Sequence, residues 1–391
     1  MSRTRQPAQS LRTAGVFAGI GGVERGLQRH GHPAVLLAEI DLAAQAVLRA
    51  RFPDTRLVGD ICELKTLPAC DLVAAGFPCQ DLSQCGKTQG IDGTQSSLVR
   101  EVFRLVEAAK KRPEWLLLEN VPFMLRLDRG RAMTFVTAEL GRLGYRWAYR
   151  TIDARAFGVP QRRLRVVLVA ARNNDPRDVL FADNLPTPPV PTSATGYGFY
   201  WTEGSTGLGW GVDCVPTLKG GSGLGIPSPP AIWIPEERRV VTINIRDAER
   251  LQGFPAGWTK PADDEDPRAG TRWRLVGNAV CVRVAAWVGR RLARPGKCVC
   301  AMGAIFEPGD QWPTAAYGGD EGIRAVAAST WPVGWQGRPL LEFLRYPTKP
   351  LSHRATAGFL SRAKKSRLKF ADNFLADLEY QLSGAGAIEQ V

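Results

Sequence analysis

The strongest constraint on the fold of this chain is an alternation that runs through its first 171 residues. Short apolar runs at 13–17, 34–38, 71–75, 115–118 and 166–170 are separated by segments of helical periodicity at 23–30, 42–51, 98–110 and 131–143. Continuous apolar runs of this length suit strands buried on both faces. Such strands alternating with helices imply an α/β architecture, a doubly wound, mostly parallel sheet of Rossmann-like kind. Gly31 and Gly144 stand where two of the helices should end. In open sheets of this kind, ligands and reacting groups gather at the carboxyl ends of the strands. The residues just beyond each run are therefore where chemistry is expected.

Beyond residues 71–75 comes Gly76-Phe77-Pro78-Cys79-Gln80-Asp81-Leu82-Ser83. Proline fixes its own φ and pushes Phe77 out of the α region, so Cys79 is presented on a stiff turn. A lone cysteine is commonly packing material; one in this position reads as a nucleophile. Beyond 115–118 comes Glu119-Asn120-Val121. A carboxyl buried there is expected to be kept neutral by desolvation and able to donate a proton. Thiol and protonated carboxyl together suit attack on a conjugated ring with protonation of a ring nitrogen. The plainer alternative makes Glu119 a capping or surface charge.

Three further clusters sit at the same kind of position. Phe17-Ala18-Gly19-Ile20-Gly21-Gly22 joins the first strand to the first helix, where glycine allows close backbone approach to a polar ligand. Glu39-Ile40-Asp41 ends the second strand, the usual place of an acid that holds a ribose hydroxyl. In Gly59-Asp60-Ile61, Asp60 could accept from an exocyclic amine and Ile61 could pack on a base. Together they favour an adenosine-bearing cofactor. Gln161-Arg162-Arg163-Leu164-Arg165 leads into the run at 166–170, and period-two alternation would put Arg163 and Arg165 on one face, beside Gln161. Two guanidinia there suit phosphate or carbonyl oxygen; a solvated basic edge is the alternative.

Composition narrows the partner. Lys and Arg number 51 against 38 Asp and Glu, a net charge of +13, which favours a polyanion such as nucleic acid. No apolar run approaches the ~20 residues needed to span a bilayer, and no secretory signal is evident, so no membrane association and a cytoplasmic location are expected. Eight cysteines include no C-x-x-C pair; only Cys298 and Cys300 lie close. Free thiols and no metal follow as the simpler expectation.

Along the chain, a flexible N-terminus (1–10) precedes a catalytic, cofactor-binding domain (11–172). A Gly-, Pro- and Trp-rich region with short strands follows (173–241), then a return segment (242–294) with helices at 245–251 and 279–292. Residues 295–391 form a C-terminal extension. In it Arg354, Arg362, Lys364, Lys365, Arg367 and Lys369 precede Phe370, Phe374, Leu378 and Leu382 at helical spacing. That end reads equally as an accessory DNA-binding element or as a helix docked on the catalytic domain with a solvated basic face.

The segments quoted above, with Arg250-Leu251-Gln252-Gly253-Phe254-Pro255 and Gly277-Asn278-Ala279-Val280, resemble in identity and order those of the DNA (cytosine-5)-methyltransferases that use S-adenosylmethionine. The resemblance spans roughly residues 11–292. It implies that Cys79 adds to C6 of a cytosine flipped from duplex DNA while Glu119 engages N3. It further implies that Asn120 orients the Cys79 loop, and that Arg163 and Arg165 hold the base carbonyl, neighbouring acids or the backbone. Cofactor contacts would come from Phe17, Gly19, Gly21, Gly22, Glu39, Ile40, Asp60, Ile61, Pro78, Asn278 and Ala279. DNA contacts would come from Gln80, Ser83, Gln161, Thr217, Leu218, Lys219, Gly220 and Gly221, the last five in the target-recognition region. Two positions depart from the family pattern: Leu275 stands where Gln is usual and Gln95 where Arg is common. A monomer is expected, with a restriction endonuclease as a separate companion. Methylation of tRNA cytosine and a catalytically silent DNA-binding relative are the alternatives.

Overall fold

The structure, a computed structural model, describes residues 9–77, 98–221, 227–307 and 309–384. Two compact units share the chain and interleave in sequence. One comprises Met1–Ala156, Leu164–Thr187 and Val280–Gly334; the other comprises Phe157–Arg163, Pro188–Ala279 and Trp335–Val391. The linear partition at 172, 241 and 294 is therefore crossed several times, and the expected C-terminal extension divides between the units after Gly334.

The larger unit is α/β and Rossmann-like. Its strands are β1 (Thr13–Val16), β2 (Ala34–Ala38), β3 (Arg56–Val58), β4 (Leu72–Gly76), β5 (Trp115–Asn120), β6 (Arg146–Asp153), β7 (Leu164–Ala171), β8 (Met302–Ile305), β9 (Ala315–Gly319) and β10 (Gly322–Val326). They form one sheet in the order β8-β10-β9-β6-β7-β5-β4-β1-β2-β3. From β5 to β3 every pairing is parallel. β7 runs antiparallel to both β5 and β6, and the β9–β10 hairpin covers the far edge of β6. Its longer helices among the described residues are α1 (Gly22–Gln28), α2 (Leu42–Arg51), α3 (Leu98–Ala108), α4 (Arg131–Arg142) and α5 (Val282–Ala293). α3 shows why such segments fold as they do: Val99, Val102, Phe103 and Val106 recur at helical spacing and are buried against Val73, Leu116 and Leu118. Each such side chain contributes about 1.5–3 kcal/mol by leaving water. α1 crosses α5 at Gly26, where a Cβ would run into Ala285 and the backbone of Ala286.

β6 had no apolar signature because it carries Arg150 and Asp153. Arg150 is fully buried, and its guanidinium donates to the carbonyls of Leu180 (3.2 Å), Asp183 (2.6 Å) and Ser329 (2.7 Å). A buried cation held by main-chain oxygens is invisible to hydropathy. The helix expected at 279–292 also needs correction. A helix at Ala269–Asn278 ends before it, Ala279 is extended (φ −64°, ψ 146°), and α5 starts only at Val282.

The smaller unit is built on a five-stranded antiparallel sheet, in the order Gly211–Val212, Tyr197–Phe199, Ala231–Ile234, Arg239–Thr242, Lys349–Pro350. Helices His353–Lys365 and Phe374–Leu382 pack on it, and Phe359, Phe374 and Leu378 share a core with Phe199, Trp233 and Val240. The buried Asp377 accepts from the Trp233 indole N–H (3.0 Å) and from Arg238 (2.9 Å). The tail helices therefore complete the smaller unit's own core, which corrects the expectation of docking on the catalytic domain. Phe370 precedes the second helix, whose start is set by Asn373 in the left-handed region (φ 64°). Among the described residues no helix is long and apolar enough to cross a membrane, and no group of three or more His, Cys, Asp or Glu is placed to hold a metal.

Candidate functional site

The five parallel strands deliver their carboxyl ends to one edge of the sheet. After β1 the chain turns through Phe17 (φ 55°), Gly19 (φ 55°) and Gly21 (φ 78°). A left-handed phenylalanine is strained, a state that persists only where the surroundings hold it. Glu39 supplies that hold: one carboxylate oxygen accepts the Gly19 N–H (2.7 Å) and the other the Asp41 N–H (2.9 Å). Burial raises the Glu39 pKa, and the N–H donors of Asp41 and Gly19 oppose the rise. Among the described residues a Cβ at Gly19 would meet nothing within 4 Å, so the turn is open there. Gly21 is closed instead by the Phe52 ring, and Gly22 is buried as the first residue of α1.

Asp60, beyond β3, accepts from the Cys62 N–H (2.8 Å) and caps a short turn. Ile61 lies buried in the central core. Ile40, 69 % accessible, and Leu42 beside it in sequence are exposed apolar side chains at this edge. Open space at Gly19, an uncovered isoleucine and the acids Glu39 and Asp60 suit an adenosine-bearing molecule: an apolar face for the base, and acceptors for hydroxyl and amine.

Beneath the glycine turn lies Glu24, which sequence reading passed over as one charge on an amphipathic helix. Its carboxyl presses on the backbone of Gly15, where a Cβ would overlap it, and its Oε2 has no hydrogen-bond partner. Burial, opposed by its own backbone N–H and reinforced by Glu39, pushes the pKa from 4.5 up to about 7. The folded value lies above the unfolded one, so the carboxyl's contribution is whole below 4.5 and is lost as pH rises through about 7. Glu24→Gln should remove that loss. Unfolding free energies at pH 4.5 and 8 should show wild type falling relative to the variant by about 3 kcal/mol. Parallel pH profiles would refute the assignment.

Pro78, Cys79, Gln80, Ser83 and Gln95 lie outside the described residues. The chain leads to them at Phe77, directly beyond β4. Asn120, buried at the end of β5, donates to the Phe77 carbonyl (3.5 Å) and accepts the Val121 N–H (2.8 Å). Glu119 pairs in register with Gly76 on one side and Val167 on the other. Its carboxylate meets the Arg165 guanidinium at 3.0 Å, the two side chains being 12 % and 17 % exposed. The carboxyl expected to be kept neutral by desolvation thus stands beside a cation, in an ion contact and not an aligned hydrogen bond, since its Oε1 has no hydrogen-bond partner.

Arg163 and Arg165 have different partners. The strand breaks at Arg163, which belongs to the smaller unit while Arg165 belongs to the larger. Arg163 is buried and donates to the carbonyls of Leu218 (3.3 Å), Gly277 (3.2 Å) and Ala279 (2.7 Å). Two of these carbonyls lie where the Ala269–Asn278 helix stops. Gln161 is fully buried as well: its amide donates to Leu251 O (3.0 Å) and accepts the Leu218 N–H (3.1 Å). Gln252 extends the network to Val276 O (2.9 Å), and the Thr217 hydroxyl donates to Arg162 O (2.8 Å). Gln161 and Leu218 are thus tied into the interior of the smaller unit. Lys219, Gly220 and Gly221 stay partly accessible, and a Cβ at Gly277 would collide with the Lys219 backbone. Asn278 is exposed beside Gly220.

Residues 11–196 match the family model described as C-5 cytosine-specific DNA methylase. Over 381 residues the chain is 48 % identical to the type II methyltransferase M2.BsuMI of Bacillus subtilis (strain 168), covering 94 % of this chain and 97 % of that one. The chain belongs to the C-5 cytosine-specific DNA methylase family. Another relative, the type II methyltransferase M.NlaX of Neisseria lactamica, is 29 % identical over 303 residues, or 69 % of this chain and 92 % of that one. Among solved structures, S. pombe Dnmt2 methyltransferase shares the fold with a TM-score of 0.54 at 17 % identity, covering 72 % of this chain and 98 % of that one. As a DNA cytosine-5 methyltransferase, the protein has a frame for the pairing of Glu119 with Arg165. The relatives also carry the resemblance past residue 292, since the M2.BsuMI match takes in both units.

Proposed function

We propose that this methyltransferase moves a methyl group from S-adenosylmethionine to C5 of a cytosine flipped out of a specific duplex DNA sequence. The cofactor supplies a methyl carbon already activated by its sulfonium. Phe17, Gly19 and Gly21 would shape the turn against it, Glu39 and Asp60 would face its hydroxyl and amine, and Ile40 its base. Cys79 thiolate attacks C6 while Glu119, protonated once the base is bound, donates a proton to N3, and the electron pair collects at C5. C5 takes the methyl group as its bond to the sulfonium sulfur breaks, leaving a neutral thioether; solvent takes the C5 proton, Cys79 leaves as thiolate, and the N3 proton returns to Glu119, which restores the ring. Arg165 holds Glu119 in place for the first step, and Asn120 steadies the chain that leads to Cys79. The observation that carries this reading is the meeting of Glu119, Arg165 and the Asn120–Phe77 bond at the carboxyl ends of β4 and β5.

Base-edge contacts would come from the smaller unit, around Lys219, Gly220 and Gly221, with the net charge of +13 supporting phosphate contact. The type II names of the relatives support a restriction-modification role; we take the endonuclease to be a separate protein and this chain to act on the genome as a cytoplasmic monomer. Expression in a host without DNA methylation, followed by mapping of 5-methylcytosine at single-base resolution, tests the reading. Methylation confined to one sequence context is expected. Methylated tRNA with unmodified DNA would transfer the activity to tRNA, and no 5-methylcytosine from folded, cofactor-binding protein would overturn the proposal.

A further inference from the structure

The basic helix His353–Lys365 has a partner within the smaller unit that its charge does not announce. Arg362 directs its guanidinium to two main-chain oxygens, donating from Nε to Glu203 O (3.0 Å) and from Nη2 to Trp201 O (2.8 Å). Those oxygens belong to a tight turn that is tied to itself by Glu203 N–H to Tyr200 O and Gly204 N–H to Gly207 O. The turn in turn grips the recognition segment on both flanks. On the near side, the Tyr200 hydroxyl donates to Thr217 O (2.7 Å), and Lys219 lies 3.7 Å over the Tyr200 ring while pairing with the Glu203 carboxylate. On the far side, the Trp201 indole N–H donates to Pro229 O (2.8 Å). The helix is anchored independently, since Phe359 and Leu360 are buried in the core of the unit.

We propose that Arg362 is a positioning residue for DNA recognition, fixing the turn at 200–203 and through it Thr217 and Lys219 on one side and Pro229 on the other. This assigns the C-terminal helices a part in substrate selection, and it rests on the reading of that segment as the DNA-contacting one. A planar fork reaching two carbonyls is something arginine does and lysine does not. The role therefore differs from a phosphate contact, which a lysine would also fulfil and whose removal would lower the salt slope of binding by about 1.

The test compares Arg362→Ala, Arg362→Lys and Tyr200→Phe in the full-length protein. Steady-state kinetics on cognate duplex, salt dependence of DNA binding and amide exchange at residues 217–221 are measured for each. Both Arg362 variants should raise KM for DNA about tenfold, the loss of a charged donor to fixed acceptors. They should leave kcat within about twofold, keep the salt slope, and quicken exchange at residues 217–221. Tyr200→Phe, which deletes one hydroxyl, should do the same to a smaller extent, and it decides the matter if Arg362→Ala does not fold. Unchanged KM and exchange in the folded variants would overturn the proposal, as would full rescue by Arg362→Lys. If wild type fails to methylate DNA, the functional reading falls, and exchange at residues 217–221 still decides whether Arg362 holds the segment.

Discussion

Cys79→Ser is expected to leave no measurable methyl transfer while cofactor binding stays intact. Addition to C6 needs an anionic nucleophile near neutral pH. A cysteine thiol ionises with a pKa of about 8.5 and is intrinsically reactive, whereas an alcohol requires a strong base beside it. The covalent step also gives a signature independent of turnover. Duplex DNA carrying 5-fluorocytosine at the target cannot lose a proton from C5, so the protein should remain attached to it through Cys79. Wild type should form a complex that survives denaturation, and the variant should form none. Transfer of labelled methyl groups by the variant, at any rate near that of wild type, would place the nucleophile elsewhere.

Glu119→Gln should lower kcat by about 10²–10⁴, the usual contribution of a positioned proton donor. The amide keeps the shape of the side chain but cannot protonate N3, so C6 is no longer activated when the thiolate arrives. KM for DNA should move little, because the lost interaction belongs to the reacting ring and not to the duplex. Arg165 would lose its ionic partner at 3.0 Å, but it lies at a strand end with 17 % of its side chain exposed and can turn to water. Thermal unfolding should therefore shift by only a few degrees. A variant with normal kcat and a raised KM would make Glu119 a binding residue and remove it from the chemistry.

Much of the site could be read from local sequence. Apolar runs bounded by glycine, proline and acids located β1, β2, β4 and β5 to within one or two residues, because a strand buried on both faces must be continuously apolar. The residues one or two places beyond those runs then had to lie at one edge, and this brought the glycine turn, Glu39 and Glu119 into a single neighbourhood. The break in the last helical segment was not legible. Residues 279–292 keep an apolar stripe, yet Gly277 and Ala279 give their carbonyls to Arg163, more than a hundred residues away in the chain. Nor could the basic run in the tail show its use: Arg362 is tied to carbonyls and Lys364 is paired with Glu379, partners that only packing supplies.

What sequence alone determined is the set of reactive groups and the sheet edge that carries them, since both follow from short-range pattern and strand polarity. Strand direction was decided by tertiary structure. An apolar run reads the same whichever way it pairs, and in an all-parallel sheet the residues preceding 166–170 would lie at the amino edge, away from the site. β7 instead runs antiparallel to β5, with Val167 opposite Glu119. Arg165, two residues earlier, therefore points to the same face at the carboxyl edge and meets the carboxylate. The break at Arg163 sends that side chain to the smaller unit, where it holds the backbone of Leu218. Two arginines two residues apart thus take different partners, and only contacts distant in sequence supply them.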